Sequence, residues 1–261
     1  MSKQAAAIDS PPSASTEYVV QGKVVRLPVE VRDATSMSAM FVVPAAGVRG
    51  LIAAPGLYVP ELLPGRTLCV IAAIEYRDND LGMYNEVSVA FFVKQGGPPP
   101  LPLFGMLGGF QRGQIGAYIH HLPVTTGFSC DAGRDIWGFP KTVDDIEFSD
   151  QGNTRSCRLV ADGTPVLTLA MRRGGQRQMK DMPQDAYAWR DGVLRRTPSV
   201  MGGDGVGMRL GGATLALGAH PIADELRGLG LPRRALMSTW VEHMHASFDA
   251  PVVVETGSCR R

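Results

Sequence analysis

The stretch Gly133-Arg134-Asp135-Ile136-Trp137-Gly138-Phe139-Pro140-Lys141-Thr142 sets one lysine behind a tight aromatic turn and ahead of an alternating run. The chain carries 21 arginines but only five lysines: Lys3, Lys23, Lys94, Lys141 and Lys180. Where arginine supplies the ordinary positive charge, a lysine among aromatic rings points to chemistry that a guanidinium cannot do. An amine can lose its proton and attack a carbonyl, whereas a guanidinium stays charged. Pro140 disfavours helical geometry at Phe139. If the segment is extended, residues 137, 139 and 141 share one face, which puts the amine beside two rings. Burial disfavours an ammonium ion, and a neutral amine can add to a ketone and lose water to give an iminium. The plainer alternative is a strand-edge lysine that lays its stem over the rings.

On either side of this stretch the chain reads mostly as strand. Residues 18 to 31 hold two β-branched runs separated around Gly22 and Pro28. Further strand patterns cover 37–43, 68–76, 87–94, 115–122, 143–148, 156–161 and 166–171. Turn signals separate several of them, at residues 96–100, 150–153 and 162–164. The pair 156–161 and 166–171 is the clearest hairpin, with a connection longer than two residues. Helical patterns are few. Residues 45–54 suggest a short helix ended by Pro55-Gly56, and 222–229 suggest another; 233–245 fits helix or strand equally. Many strands with little strand–helix alternation predict a mainly β protein, an antiparallel barrel or sandwich. Gly202-Gly203-Asp204-Gly205-Val206-Gly207 lacks the spacing and the strand–helix frame of a phosphate-binding loop, so a flexible loop or hairpin tip is expected.

At 261 residues one large domain is the expectation, residues 17–261, behind a Ser-, Ala- and Pro-rich disordered tail, residues 1–16. A net charge of +1 gives no electrostatic case for nucleic acid or an anionic membrane, so neither is expected as a partner. Gly, Pro and charges interrupt every apolar run before it reaches the length of a membrane span. The only apolar stretch in the tail, Ala5-Ala6-Ala7-Ile8, is too short for a signal-peptide core. Four cysteines without Cys-x-x-Cys spacing argue against a zinc site and fit free thiols in a reducing compartment. A cytoplasmic location is the default expectation.

A second stretch, Tyr76-Arg77-Asp78-Asn79-Asp80-Leu81-Gly82-Met83-Tyr84-Asn85-Glu86, ends on an acid just where an apolar strand begins. A carboxylate entering a run of Val, Ala and Phe is costly to bury unless it is paired. Near Lys141, Glu86 could orient the amine or shuttle protons; the alternative is a surface acid at a strand start. The two stretches, in this order and at this separation, resemble the signatures of the acetoacetate decarboxylase-like superfamily. With a weaker match over Trp240 to Val254, the resemblance covers roughly residues 20–255. Activated lysine in acetoacetate decarboxylase is an established example of the nucleophile chemistry invoked here.

The resemblance implies a conical antiparallel β-barrel with short flanking helices and homo-oligomeric assembly. It also implies a cofactor-independent lyase in which Lys141 forms a Schiff base with a small oxo acid and Glu86 is the active-site acid. Decarboxylation of a 3-oxo acid is the first expectation. Aldol condensation and dehydration on pyruvate-like substrates, and a non-catalytic small-molecule binding protein on the same fold, are the alternatives. The expected substrate-contacting residues are Arg32, Trp137, Phe139 and Tyr84. The sequence departs from the family pattern at Thr142, where a second lysine is expected. Thr35 stands near the position of an arginine, and Ile71 or Ala72 near that of a further glutamate; Arg32 or Glu75 are the substitutes in reach.

Other constellations carry less. His120-His121 in a strand should point to opposite sides and not share an ion. Glu242-His243-Met244-His245 offers a His-x-His spacing on one strand face but no identifiable third ligand, and no metal is expected. Ser129 and Cys130 have no triad context. Arg172-Arg173 and Arg195-Arg196 read as solvated hairpin ends.

Overall fold

The structure, a computed structural model, describes residues 16–96, 109 and 113–254. The expected tail up to residue 15, residues 97–100 of one turn signal, and Cys259 lie outside the described residues. Strands follow one another almost without interruption. The first group is β1 (Thr16–Val20), β2 (Lys23–Leu27), β3 (Val29–Pro44), β4 (Leu57–Tyr58), β5 (Arg66–Asn79), β6 (Tyr84–Gln95) and β7 (Ile115–Val124). The next is β8 (Lys141–Val143), β9 (Asp145–Gln151), β10 (Thr154–Ala161), β11 (Thr164–Arg172), β12 (Arg177–Pro183), β13 (Ala186–Arg190) and β14 (Val193–Thr197). The last is β15 (Ser199–Leu210), β16 (Ala213–Leu217), β17 (Met237–Phe248) and β18 (Val252–Val253). Helices are short: α1 (Ala45–Leu51), α2 (Gly127–Ala132) and α3 (Pro221–Gly228), the last with proline in its first turn and the His220 ring accepting from the Ile222 amide.

A 12-stranded sheet runs in the order β12-β15-β17-β3-β5-β6-β7-β13-β14-β18, with β4 on β6 and β8 on β7. A second sheet, β16-β11-β10-β9, and the β1–β2 hairpin complete the fold. The long pairings are antiparallel; β7 pairs in parallel with both β8 and β13. Alternation along the strands sorts the apolar side chains into two cores on opposite faces of the large sheet. One holds Met37, Phe41, Ile71, Val89, Phe91 and Trp240, together with residues of the smaller sheet and of α3. The other gathers Val206 from β15, Met244 from β17, Val31 from β3, Leu122 from β7 and Ala188 from β13. Strands far apart in the sheet order meet in that second core, so the sheet curls around it. The mainly β architecture expected from the strand pattern is the one observed, and the curled sheet agrees with the barrel that the family resemblance implied.

The ambiguous 233–245 segment is strand from Met237, and 143–148 breaks at Asp144 between β8 and β9. Ala161 pairs with Thr164, so the β10–β11 hairpin has a two-residue turn, Asp162-Gly163, with φ of 48° and 70°. The glycine-rich run is neither loop nor tip: it lies inside β15. Glycine is needed there for close approach, since a Cβ on Gly203 would lie 2.6 Å from the His243 carbonyl oxygen.

In the β6–β7 ladder, Val89 pairs with His121 and Ala90 with Ile119, which leaves His120 as an inserted residue. The bulge shifts the phase of β7: Tyr118 belongs to one core and Leu122 to the other. It also turns both histidines to the same side, where each Nε2 reaches Oε1 of Glu225 on α3, at 2.9 and 3.0 Å. The expectation that their rings diverge fails because the strand is not regular at this point.

Candidate active site

Lys141 begins β8 opposite Leu122 of β7. The chain reaches it through α2, whose start is capped by Thr126 accepting from the Ser129 amide at 3.3 Å. A π-helical turn, Gly133–Trp137, follows directly and ends at Gly138, whose φ of 73° is left-handed. Trp137 is therefore helical, and the extended reading of residues 137–141 is overturned. The wide turn folds back so closely that the lysine stem lies on Gly133; a Cβ there would sit 2.4 Å from Lys141 Cδ. Arg134 Nε donates to the Lys141 carbonyl at 2.7 Å, which ties the strand start to the turn.

Glu86 sits on β6 between Ile74 of β5 and Val124 of β7. The β5–β6 hairpin that carries it is the second quoted stretch. Asn79 holds its turn, accepting from the Leu81 amide at 2.8 Å and donating to the Gly82 carbonyl at 2.6 Å. That turn sets Tyr76 opposite Tyr84, with the rings stacked 4.4 Å apart.

These elements bring the two candidates together. Lys141 Nζ lies 2.9 Å from Glu86 Oε2, and the residues are 4% and 6% exposed. Tyr76 donates its hydroxyl to Glu86 Oε1 at 3.2 Å. The amine stands 5.0 Å from the centre of the Tyr84 ring. Burial, and secondarily the charge of Glu86, pushes both tyrosine hydroxyls well above their ordinary range, so they remain neutral. An ion pair withdrawn from water at this depth is weak evidence of stability, because desolvation offsets much of the attraction. What it offers is chemistry: an amine with a proton acceptor in reach, steadied by a neutral hydroxyl. A cavity of about 260 Å³, lined by Glu75, Tyr76, Arg77, Tyr84, Asn85 and Thr125, abuts the stacked tyrosines.

The remaining expected residues divide. Tyr84 touches the pair, as above. Trp137 and Phe139 stack on each other at 5.9 Å, and Trp137 donates to the Asp249 carbonyl at 2.9 Å and meets the edge of Phe248. They wall the same core, but the ring that faces the amine is that of Tyr84. Arg32 is not in the cluster: its half-exposed guanidinium is held by Asp78 at 2.8 Å and Asp80 at 2.6 Å. Glu75 instead accepts from Arg155 at 2.8 Å. The hydroxyl of Thr35 accepts from Arg77, and Thr142 is exposed and bonds to Asp144. His243 and His245 each take their own carboxylate, Asp33 at 3.0 Å and Asp181 at 2.7 Å. Tyr76 and Gly133 lie within the two signature stretches, whose sequence pattern gives them no role. Tyr76 was legible in principle, because a turn centred between Asn79 and Gly82 sets it across from Tyr84.

Among the described residues, no helix is long and apolar enough to cross a membrane, and Cys69, Cys130 and Cys157 are buried free thiols. No curated protein matches the sequence. Among solved structures, an acetoacetate decarboxylase from Legionella pneumophila subsp. pneumophila str. Philadelphia 1 is similar. It has a TM-score of 0.63 at 14% identity, over 95% of this chain and 92% of that one. The enduracididine biosynthesis enzyme MppR complexed with pyruvate is similar at a TM-score of 0.59 and 14% identity, over 88% and 91% of the two chains. An acetoacetate decarboxylase-like enzyme from Sphingomonas wittichii RW1 gives 0.56 and 13%, over 97% and 100%. At these identities the likeness is one of fold. The family model for acetoacetate decarboxylase (ADC) matches residues 11–255. Nearly the whole chain is covered by that match, and the protein belongs to the acetoacetate decarboxylase family.

Proposed function

We propose that the protein is a lyase that works through a Schiff base between Lys141 and a small oxo acid, with decarboxylation of a 3-oxo acid as its reaction. The observation that carries this reading is the buried 2.9 Å contact between Lys141 Nζ and Glu86 Oε2. Glu86 takes the ammonium proton, and the freed amine adds to the keto carbon. The carbonyl oxygen gains protons, water leaves, and a C=N⁺ bond remains. The bond to the carboxylate then breaks, its electron pair moves into the iminium to give an enamine, and carbon dioxide departs. Protonation at carbon and addition of water return the ketone and the amine. Tyr76, bonded to the other oxygen of Glu86, keeps that carboxylate aimed at the amine.

A second reading has a specific support. Arg32 is committed to Asp78 and Asp80, so it does not offer an acetoacetate carboxylate the bidentate partner that the family resemblance expects. The fold is shared with MppR, whose structures include a complex with the condensation product of pyruvate and imidazole 4-carboxaldehyde. The same iminium on pyruvate could lose a proton and add to an aldehyde.

Intact mass after incubation with acetoacetate or pyruvate and reduction by borohydride tests both readings, with Lys141→Arg run beside the native chain. A reduced adduct mapped to Lys141 is expected. Carbon dioxide release from 3-oxo acids then selects decarboxylation, and a condensed product from pyruvate plus an aldehyde selects the second. No adduct over a panel of small oxo acids would leave a binding protein on this fold. A homo-oligomer is the proposed assembly, supported by the exposed Met208 and Leu210 of β15; light scattering checks it.

A further inference from the structure

On the face of the sheet away from Lys141, the β7 bulge brings together a group that the lysine chemistry does not use. We propose that His120, His121 and Glu225 form a binding site for a divalent transition-metal ion, with zinc as the fitting probe. Their ligand atoms all lie within 4.8 Å of one another. Both imidazole Nε2 atoms already converge on one carboxylate oxygen, at 2.9 and 3.0 Å. An ion about 2 Å from each of three such ligands wants donor atoms about 3–3.5 Å apart, so small side-chain movements admit it. Two imidazoles and a carboxylate suit zinc and its first-row neighbours, and three protein ligands leave a position open to water.

The geometry has a structural cause. In a regular strand two successive histidines diverge; here the inserted residue turns both to one side. Glu225 comes from α3, whose Leu226 packs in the core on this same face. The histidines and Glu225 are only partly buried, with side chains 14%, 26% and 27% exposed, so an ion can reach them from solvent. On binding, each imidazole gives up its Nε2 hydrogen bond to Glu225 and offers the Nε2 lone pair to the ion. His121 pairs with Val89, which belongs to the core opposite the one that holds Leu122. Lys141 pairs with Leu122, so the ion would clamp α3 to the sheet on the far side from the amine.

The test uses the full chain without a histidine tag, stripped with EDTA and titrated with zinc chloride by calorimetry. One equivalent per chain is expected. Binding should weaken by at least about 100-fold in His121→Ala and in Glu225→Gln, beyond what loss of a mere supporting hydrogen bond costs. Cobalt in place of zinc should give the visible absorption of a low-coordinate ion in the native chain and lose it in both variants. Zinc should raise the Tm of the native chain and leave that of His121→Ala unmoved. His120→Asn carries the same comparison if Glu225→Gln does not fold. The double variant His243→Ala/His245→Ala, which alters the His-x-His pair of β17, should bind as the native chain does. No heat with zinc, binding unaltered in His121→Ala and His120→Asn, or binding lost in the double control would overturn the proposal. The triad would then be a hydrogen-bonded clamp between helix and sheet. Borohydride trapping at Lys141 reads the other face of the sheet and does not bear on this outcome.

Discussion

Lys141 and Glu86 are charges withdrawn from water, and each is tolerated because the other is 2.9 Å away. Removing one leaves the other buried and alone, which typically costs about 3–5 kcal/mol. Lys141→Met should therefore lower stability by about 3 kcal/mol in denaturant unfolding, with much of the loss recovered in Lys141→Met/Glu86→Gln. Lys141→Arg keeps the charge but not the nucleophile; imine trapping and turnover should vanish. Glu86→Gln keeps the shape but not the proton acceptor, and kcat should fall about 10²–10⁴-fold, the usual worth of a positioned acid or base. Gly133 is the subtler case. A methyl group 2.4 Å from Lys141 Cδ has to displace the lysine stem. Gly133→Ala should cost about 1–3 kcal/mol, as overpacking does, and lower kcat more than a stability change alone explains.

The β5–β6 hairpin is the element that aims Glu86. Its turn hangs on Asn79, whose side chain both accepts from and donates to the four residues that reverse the chain. Asn79→Ala removes both bonds and should cost about 1–3 kcal/mol. If the turn sets the pairing of Tyr76 with Tyr84, the variant should also trap less imine at equal folded fraction, which quantitative mass spectrometry reads. Alternation made the strands of this hairpin legible. The π-helical turn before Lys141 was not legible: a proline-punctuated aromatic run reads as extended, whereas the chain turns helically and packs Gly133 against the lysine stem. The β7 bulge escaped for a similar reason. Regular alternation is the only assumption a sequence allows, and the inserted residue is defined by its partner strand, which lies some 30 residues earlier in the chain.

At the scale of the molecule, the sheet must curl, and its ladders break where it does. Pairing shifts between Val31 and Ala34 of β3 and between Val241 and Met244 of β17. Arg77 of β5 bridges the gap, with two bonds to Asp33, at 2.7 and 2.8 Å, and one to the Glu242 carbonyl at 2.9 Å. The Arg77 guanidinium, and after it His243, hold the Asp33 carboxyl at about 2 instead of its ordinary 3.8, against the opposing effect of burial. A carboxyl held low stabilises the fold above pH 3.8, and that contribution is lost as the pH falls through about 2. Arg77→Met should cost about 1–2 kcal/mol at neutral pH, a figure discounted because both side chains are about a third exposed. The difference from the native chain should shrink as the pH drops from 4 to 2; a constant difference across that range would show that the guanidinium acts by packing alone.

The sequence by itself determined the mainly β character, the positions of most strands, the scarcity of helix and the two candidate residues. Local alternation, turn chemistry and two short signatures carry those. Only the tertiary structure decided which charges meet. Arg32, nearest by pattern to a substrate-binding role, finds Asp78 and Asp80 at the surface. Tyr76, to which the pattern gave no role, finds Glu86 in the core. His120 and His121 converge on Glu225 because of one unpaired residue. Partners of this kind lie as far as about a hundred residues apart in the chain. Their meeting follows from sheet register and curl, which depend on every strand at once and leave no mark in any one of them.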